Sequence, residues 1–386
     1  MVNENRDSKE YIPGACSCMT LTSKNGKHYW FRTCDIDTDL WKAGAHVRKQ
    51  AAGEVIEYCD GSKEISQYSF VGMTYNTLDT WLLDGVNEYG LTGGLLMLYE
   101  GTSVEKTQEN RIGYVGMELV TKILSSCKNV EGIIALAKCI QILDVLLEEK
   151  RLPATMHYFF TDISGNEVIL EATDQEHPGI LKIFPREKIL GILTNSPPYE
   201  EQLQNLAWFL SQSPEMKQGL AKQAIAEVKQ EVTGQDITEV KQEVNGQAPV
   251  GKKQPMTKHV PVELVLDKRS IKADENAKHL SLTGIFPASY SSYDRFIRLA
   301  VLKALNDSGN GFEDEKMLAL GSGIMNAVCE PHTKGIFHYT RMDSNGKMIG
   351  QKDSFTQYMV MYDVEEKCFY IKKYDEVTWE RYEVSY

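Results

Sequence analysis

The sequence has 386 residues, of which 42% are hydrophobic and 25% are charged, and its formal net charge is −12. This composition is ordinary for a globular protein, and the length allows one large domain or two smaller ones. The negative charge argues against a nucleic-acid partner, because the phosphates would repel the chain.

The amino-terminal residues 1–15 are polar and charged, without the apolar segment of a secretory signal. No apolar run of membrane-spanning length occurs elsewhere, so we expect a cytoplasmic protein with no membrane partner. The 8 cysteines are then expected to be reduced thiols. Cys16 and Cys18 have no second cysteine pair at zinc-finger spacing, and we expect neither a metal nor a cofactor.

The first structured feature that the sequence predicts is a hairpin from Cys16 to Asp35. Asn25-Gly26 lies between segments rich in Thr, Tyr, Trp and Phe and predicts a two-residue type I′ turn. That register places Asp35 opposite Cys16. Arg32 and Asp35 would face opposite sides of a regular strand, so a shared site needs a bulge or strand end between them. Taken alone, the pattern favours a surface hairpin with unrelated cysteines.

Patterns of strand and helix follow along the chain. Strands are predicted at 70–74, 91–99 and 189–193, and hairpins at 157–172 and 357–373. Helices are predicted at 113–127, 130–147, 200–210, 293–305 and 313–328, with Asn129 as the N-cap of the second. Strands near both ends, with helices between them, indicate an α/β or α+β layered domain.

The stretch from about 214 to 274 differs in composition and is rich in Lys, Gln, Glu and Val. It contains two copies of Glu-Val-Lys-Gln-Glu-Val-x-Gly-Gln, at 227–235 and 239–247. A solenoid needs about three copies or more. The composition therefore predicts a solvated low-complexity insert, and an assembly or partner-binding arm is the alternative.

Four motifs in order resemble the choloylglycine hydrolase and penicillin V acylase family of linear amide C–N hydrolases. Residues 31–35 resemble its Arg-[Thr/Asn]-x-Asp pattern, and Arg32 follows Cys16, but not Cys18, by the family's 16 residues. Residues 83–91 resemble Asp-Gly-x-Asn-Glu-Lys-Gly-Leu. Residues 191–197 resemble Gly-x-x-Thr-Asn-Ser-Pro, and residues 295–298 resemble Arg-Phe-x-Arg.

This resemblance implies an α+β fold, the four-layer αββα sandwich of the N-terminal-nucleophile hydrolases. It implies one domain over residues 16–386 that carries the insert, after removal of residues 1–15 as a leader. It further implies a homotetramer and a small-molecule amide substrate.

A cysteine at a new amino terminus supplies a nucleophilic thiolate and an α-amine that can act as base, with an unperturbed pKa of about 7.7–8.0. Cys16 is the candidate nucleophile. Arg32 cannot act as an ordinary base, so it is expected to stabilise the thiolate and orient substrate. Asp35 would accept a hydrogen bond from the α-ammonium or hold the reacting end in place.

The resemblance also assigns residues that lie far from the hairpin in sequence. The side-chain amide of Asn195 and the backbone N–H of Met97 would be the two oxyanion donors, and Arg295 would organise the charged network near the nucleophile. Trp41 and Leu96 are candidate substrate contacts. Family members usually carry Asn or Tyr at the position of Met97.

The expected function is amide cleavage through a Cys16 thioester, on a substrate with an apolar acyl group. The apolar run at residues 95–98 favours a penicillin V acylase over a bile salt hydrolase. An acyltransferase is an alternative, because an amine can capture a thioester in place of water. The alternative from another class is a non-catalytic binding or assembly protein that has kept the fold.

Overall fold

The computed structural model describes residues 14–37, 39–147, 150–152, 156–211, 290–306, 312–332, 338–342 and 348–384. The expected leader lies outside these residues, apart from Gly14 and Ala15. The expected insert at 214–274 lies wholly outside them.

Within the described residues, the helices are α1 (Leu119–Ser126), α2 (Val130–Ala137), α3 (Tyr199–Ser211), α4 (Ser292–Asn306) and α5 (Met317–Asn326). The strands are β1 (Gly14–Thr22), β2 (His28–Ile36), β3 (Val47–Gln50), β4 (Val55–Glu57), β5 (Lys63–Ile65), β6 (Phe70–Thr74), β7 (Leu82–Asn87), β8 (Thr92–Met97), β9 (Ile112–Val115), β10 (Ile140–Leu143), β11 (Val145–Leu147), β12 (Lys150–Leu152), β13 (Met156–Thr161), β14 (Glu167–Glu171), β15 (Lys182–Pro185), β16 (Ile192–Thr194), β17 (His338–Met342), β18 (Met348–Asp353), β19 (Phe355–Asp363), β20 (Cys368–Lys373) and β21 (Glu380–Glu383).

Two antiparallel sheets form the centre of the structure. One has six strands in the order β16-β1-β2-β19-β20-β21, and the other has seven in the order β15-β14-β13-β8-β7-β6-β3. α4 and α5 pack on the first sheet, through β1, β2, β16 and β19, while α1 and α2 pack on β7, β8 and β14 of the second. The predicted α+β, four-layer αββα sandwich is confirmed.

The layering explains why β2 is buried from Tyr29 to Ile36, on both of its faces. Helix α5 covers one face, and the seven-stranded sheet lies across the other. The helix approaches closely because Gly321 has no side chain: a Cβ there would lie 1.9 Å from the ring of Phe31. The strands nearest the centre therefore place their polar side chains where water is excluded.

The hairpin β1–β2 differs from the predicted register by one residue. Its loop has three residues, with Ser23 N–H bonded to the carbonyl of Lys27 at 2.8 Å. Gly26 alone in this loop takes a positive φ, of 85°, as in the three-residue loops in which a residue in the left-handed conformation follows a type I turn. Asp35 therefore pairs with Ala15, and Cys34 lies opposite Cys16. The predicted placement of Asp35 opposite Cys16 is wrong.

The predicted helices at 113–127 and 130–147 are also wrong in part. Residues 112–115 form β9, which pairs in parallel with β10 at residues 140–143. Only α1 and α2 remain helical, and Asn129 caps α2 as predicted by accepting a hydrogen bond from Gly132 N–H. Apolar runs of this length suit a buried strand as well as a helix, and the parallel pairing depends on a distant partner. The predicted strands at 70–74 and 91–99, the two hairpins and the helix cores near 200–210 and 293–305 are confirmed.

Among the described helices, none has both the length and the apolar character needed to cross a bilayer.

Candidate active site

The thiol of Cys16 lies in the interior, between the two sheets. Cys16 pairs with Cys34, and Cys18 pairs with Arg32, so all four side chains share one face of β1–β2. Arg32 Nη2 lies 3.3 Å from Cys16 Sγ and 3.9 Å from Cys34 Sγ. Cys16 is 5% exposed and Arg32 is 1% exposed. The positive guanidinium of Arg32 therefore contacts the thiol in a site that is largely shielded from solvent.

The guanidinium of Arg32 is held by the facing sheet. Its Nη1 donates to Leu83 O at 2.6 Å and to Asp84 Oδ2 at 2.9 Å. The hydroxyl groups of Tyr358 and Tyr362 also donate to the carboxylate of Asp84. Asp84 is the acidic residue of the motif at 83–91, and no role was predicted for it. Its function here is to fix the arginine that contacts the thiol.

The surroundings make Cys16 the most acidic of the three neighbouring thiols. A hydrogen bond from the Cys34 thiol and the charge of Arg32 hold the pKa of Cys16 well below its ordinary value, against the opposing effect of burial. The hydrogen bond to Cys16, together with burial, raises the pKa of Cys34. Burial raises the pKa of Cys18, whose Sγ lies 3.5 Å from Leu193 O. Of the three thiols, Cys16 is therefore the one that ionises most readily.

The lowered pKa gives a prediction for thiol reactivity. Alkylation of Cys16 by iodoacetamide should reach half its maximal rate at a pH below about 8.5, the ordinary value for cysteine. The thiolate is present above the lowered pKa and is lost as the pH falls through it. Arg32→Lys keeps a positive charge but loses the planar group that spans Cys16 and Asp84, so its midpoint should rise. The measurement is mass spectrometry of the Cys16 peptide over a pH series.

The surface variant Arg381→Lys is the matched control, because Arg381 pairs only with Glu383 at 2.8 Å among the described ion pairs. It should keep the wild-type midpoint. A midpoint that is unchanged in Arg32→Lys would show that the arginine does not lower the pKa of Cys16.

The main chain of Cys16 is held from the opposite face of the sheet. Arg295 Nη1 donates to Cys16 O at 2.7 Å and to Ser17 Oγ at 2.6 Å. The same nitrogen lies 3.8 Å from Asp35 Oδ2, and Thr356 Oγ1 donates to the other carboxylate oxygen of Asp35. Burial, and then the nearby charge of Glu330, raise the pKa of Asp35.

Arg32 and Asp35 therefore approach Cys16 from opposite sides, and no irregularity in the β1–β2 pairing separates them. That pairing is continuous from Gly14 to Thr22. The bulge lies instead in β19, between Thr356 and Tyr358, where it pairs with β2. The expectation of a bulge or strand end between Arg32 and Asp35 is wrong. The two side chains lie on opposite faces of β2, and the site includes residues on both faces.

The side chain of Asn195 meets the backbone of Cys16. Its Oδ1 accepts hydrogen bonds from Cys16 N–H and, at 3.3 Å, from Arg295 Nη2. Its Nδ2 is buried and has no hydrogen-bond partner among the described residues. Asn195 O accepts from Gln202 Nε2 at 2.8 Å and from Ser292 Oγ at 2.9 Å. The loop that carries Asn195 is thus fixed by α3 and α4, and leaves one amide donor without a partner in the described chain.

The end of β8 lies beside the same loop. Met97 O accepts from Ser196 N–H at 3.1 Å, and Ser196 Oγ accepts from Tyr99 N–H at 2.6 Å. The main chain of Met97 therefore lies beside the loop that carries Asn195. Leu96 is completely buried in the core. Trp41 is partly buried.

The ring of Trp41 lies 6.4 Å, centroid to centroid, from the ring of Tyr358. Tyr358 in turn bonds to Asp84, so Trp41 is at the edge of the Arg32–Asp84 network. Within the described ranges, no group of three His, Cys, Asp or Glu side chains is arranged to hold a metal ion.

The fold and the buried cysteine together define an αββα sandwich of the N-terminal-nucleophile hydrolase type. The family of linear amide C–N hydrolases known as the choloylglycine hydrolase family matches residues 16–236, and the chain belongs to that family.

The alignments with two relatives in sequence cover only part of each relative. A bile salt hydrolase/transferase from Clostridium perfringens is 24% identical over 212 residues, which are 53% of this chain and 61% of that protein. An uncharacterized protein of Paramecium bursaria Chlorella virus 1 is 27% identical over 130 residues, which are 34% of this chain and 45% of that protein. The chain thus spans about half to three fifths of these relatives.

Solved structures resemble this one over most of their length. A crystal structure of a mutant conjugated bile acid hydrolase from Clostridium perfringens has a TM-score of 0.65 at 18% identity, with 95% of this chain and 92% of that chain covered. A penicillin V acylase from Agrobacterium tumefaciens has a TM-score of 0.57 at 17% identity, with 95% and 84% covered. At these identities the likeness concerns the fold.

Proposed function

We propose that the chain is an N-terminal-cysteine amidohydrolase that cleaves a linear amide C–N bond through a Cys16 thioester. One observation carries the proposal. The Cys16 thiol lies 3.3 Å from a buried arginine, while the backbone of the same residue contacts Asn195, whose Nδ2 has no partner in the described chain. Cys16 thus contacts both the arginine that stabilises its thiolate and the asparagine that supplies a donor for the oxyanion.

The nucleophile is completed by removal of the leader. In the described chain Cys16 is preceded by Ala15, so its nitrogen is a peptide N–H that donates to Asn195 Oδ1. Cleavage of the Ala15–Cys16 bond would convert this nitrogen into an α-amine with a pKa near neutrality, suited to moving protons. Asp35, which pairs with Ala15 in the sheet, would then face a new cation. The start of the family match at Cys16 supports this junction.

The reaction follows from these positions. The α-amine takes the proton of the Cys16 thiol, the thiolate attacks the amide carbonyl, and the α-ammonium delivers the proton to the departing nitrogen. The oxyanion receives hydrogen bonds from Asn195 Nδ2 and from the backbone N–H of Met97, the first of which is typically worth ~2.7–4 kcal/mol of the barrier. Arg295 holds the carbonyl of Cys16 in place. Water, activated by the same amine, then hydrolyses the thioester.

The substrate proposed is an amide with an apolar acyl group, and two specificities follow from the relatives. The sequence pattern favours a penicillin V-type substrate, contacted by Trp41 and Leu96. The likeness to a bile salt hydrolase/transferase favours a bile acid amide, and the word transferase in its name also favours capture of the thioester by an amine.

A substrate panel tests the proposed function. Purified chain that begins at Cys16 is incubated with glycine- and taurine-conjugated cholate and with penicillin V, and the released amine is measured. Release from at least one of them is expected. A further reaction with cholate conjugate plus a second amino acid would reveal acyl transfer as a new conjugate. No release from any of these substrates by a correctly processed chain would contradict the proposal.

The insert at about 214–274 is proposed to be dispensable for chemistry, since all assigned site residues lie outside it. Replacing it with a short Gly/Ser linker should keep kcat within about tenfold, equal to ~1.4 kcal/mol in the barrier. The control is the melting temperature of both chains. Complete loss of turnover in a variant that remains folded would mean that the segment helps to build the site.

A further inference from the structure

The feature that the proposed reaction leaves unexplained is a second thiol beside the nucleophile. Cys34 is buried, at 2% exposure, and lies directly opposite Cys16 in the β1–β2 ladder. Both sulfur atoms lie within 3.9 Å of one atom, Arg32 Nη2. Both cysteines are free thiols.

The backbone bonding of Cys16 shows which kind of cross-strand pair this is. Its N–H bonds to Asn195 and its carbonyl accepts from Arg295, so neither group is directed to β2. Thr20 lies an even number of residues further along β1, so its N–H points to the same side of the strand as that of Cys16. The Thr20 N–H bonds to Gly191 O, on the side away from β2. Cys16 and Cys34 are thus a non-hydrogen-bonded pair, whose Cα atoms are typically about 4.5 Å apart. Disulfides span Cα separations of about 4.4–6.8 Å.

We propose that Cys34 is a protective thiol that forms a reversible disulfide with Cys16 when the nucleophile is oxidised by a hydroperoxide. The proposal rests on the proposed function, because it makes the active-site thiolate the oxidised group.

The chemistry needs two steps. In the first, the Cys16 thiolate attacks the hydroperoxide: an S–O bond forms, the O–O bond breaks, and the leaving alkoxide or hydroxide takes one proton from solvent and departs as alcohol or water. In the second, Cys34 sulfur attacks the sulfenic acid: the S–S bond forms, the S–O bond breaks, and water leaves with the thiol proton. Sulfur is oxidised and the peroxide reduced. An external dithiol restores both thiols by exchange.

Cys34 is better placed for this role than Cys18, the other thiol on the same face. Cys18 lies in the same strand as Cys16, and its Sγ is directed to Leu193 O at 3.5 Å. Arg32 lies near both Cys16 and Cys34 and stabilises the thiolate form of either during exchange. The lowered pKa of Cys16 fits the attacking nucleophile of the first step.

Mass spectrometry tests the pairing without relying on catalysis. The processed chain is treated with one equivalent of hydrogen peroxide, the remaining thiols are alkylated, and the digest is searched for a linked Cys16–Cys34 peptide about 2 Da lighter than the two thiol peptides together. We expect this link to be the main product and to disappear after dithiothreitol. A link from Cys16 to Cys18, or none at all, would overturn the proposal even if the chain hydrolyses amides.

Variants extend the test, each compared with its own untreated activity. In wild type and in Cys18→Ser, dithiothreitol should restore most of the turnover lost to peroxide. In Cys34→Ser treated with excess hydrogen peroxide, the Cys16 sulfenic acid should react with a second peroxide molecule to give the sulfinic acid, which gains about 32 Da and is not reduced by dithiothreitol. Recovery of Cys34→Ser to the same extent as wild type would overturn the proposal. A chain without any amidase activity would contradict the proposed function, while the mass-spectrometric result would still decide the pairing.

Discussion

Replacing Cys16 by alanine is expected to abolish amide cleavage and to leave residues 1–15 attached to the chain. The thiol is proposed to act twice, on the Ala15 carbonyl during processing and on the substrate carbonyl during turnover. Removing the nucleophile of a covalent mechanism can cost on the order of 10⁶ in kcat, so only background should remain. Intact mass and Edman degradation check the result: active wild type should read Cys-Ser-Cys-Met, and the variant should retain Met1.

Cys18→Ser is the matched control, since Cys18 lies in the same strand and on the same face as Cys16. Serine keeps the donor that meets Leu193 O. This variant should begin at Cys16 and keep kcat within about tenfold of wild type. An active chain that begins at Cys18, or full activity with Met1 retained, would refute Cys16 as the nucleophile. An unprocessed and inactive wild type would instead favour the binding or assembly protein.

The sequence was sufficient for the parts of the site that are local. The motifs at 31–35, 191–197 and 295–298 each contribute a side chain, and the structure brings those three segments to Cys16. The spacing of Cys16 and Arg32 also agrees with the observed contact. Each of these residues is recognisable because it stands at a fixed place in a short motif.

The predictions that were wrong depend on a shift of one residue in strand register or on the pairing of segments distant in sequence. Whether Asn25-Gly26 forms a two- or three-residue loop is decided by the twist and packing of the whole sheet, yet it determines whether Asp35 or Cys34 faces Cys16. The role of Asp84 requires that β7 and β2 face each other across the core. Tyr358 and Tyr362 come from β19, more than 270 residues further along the chain, and contact the same carboxylate.

Replacing Asn195 by alanine is expected to lower kcat by roughly 10²–10³, the usual cost of losing one oxyanion donor. The alanine variant loses Oδ1 as well, which accepts from Cys16 and Arg295. Asn195→Asp separates these two effects, because it keeps an acceptor at that position and removes the Nδ2 donor. Both variants should keep the loop, since its carbonyl is held by Gln202 and Ser292.

Met97→Asn is the contrasting variant, because Met97 is assigned a backbone N–H that the substitution preserves. It should retain turnover and mainly shift KM among acyl groups, as expected for a side chain at the pocket wall. The measurement is kcat and KM for each variant on two acyl substrates, with protein that already begins at Cys16. If Asn195→Ala cleaves normally while Met97→Asn is inactive, the oxyanion assignment is wrong. The buried Asn195 side chain would then serve only to anchor Cys16 and Arg295.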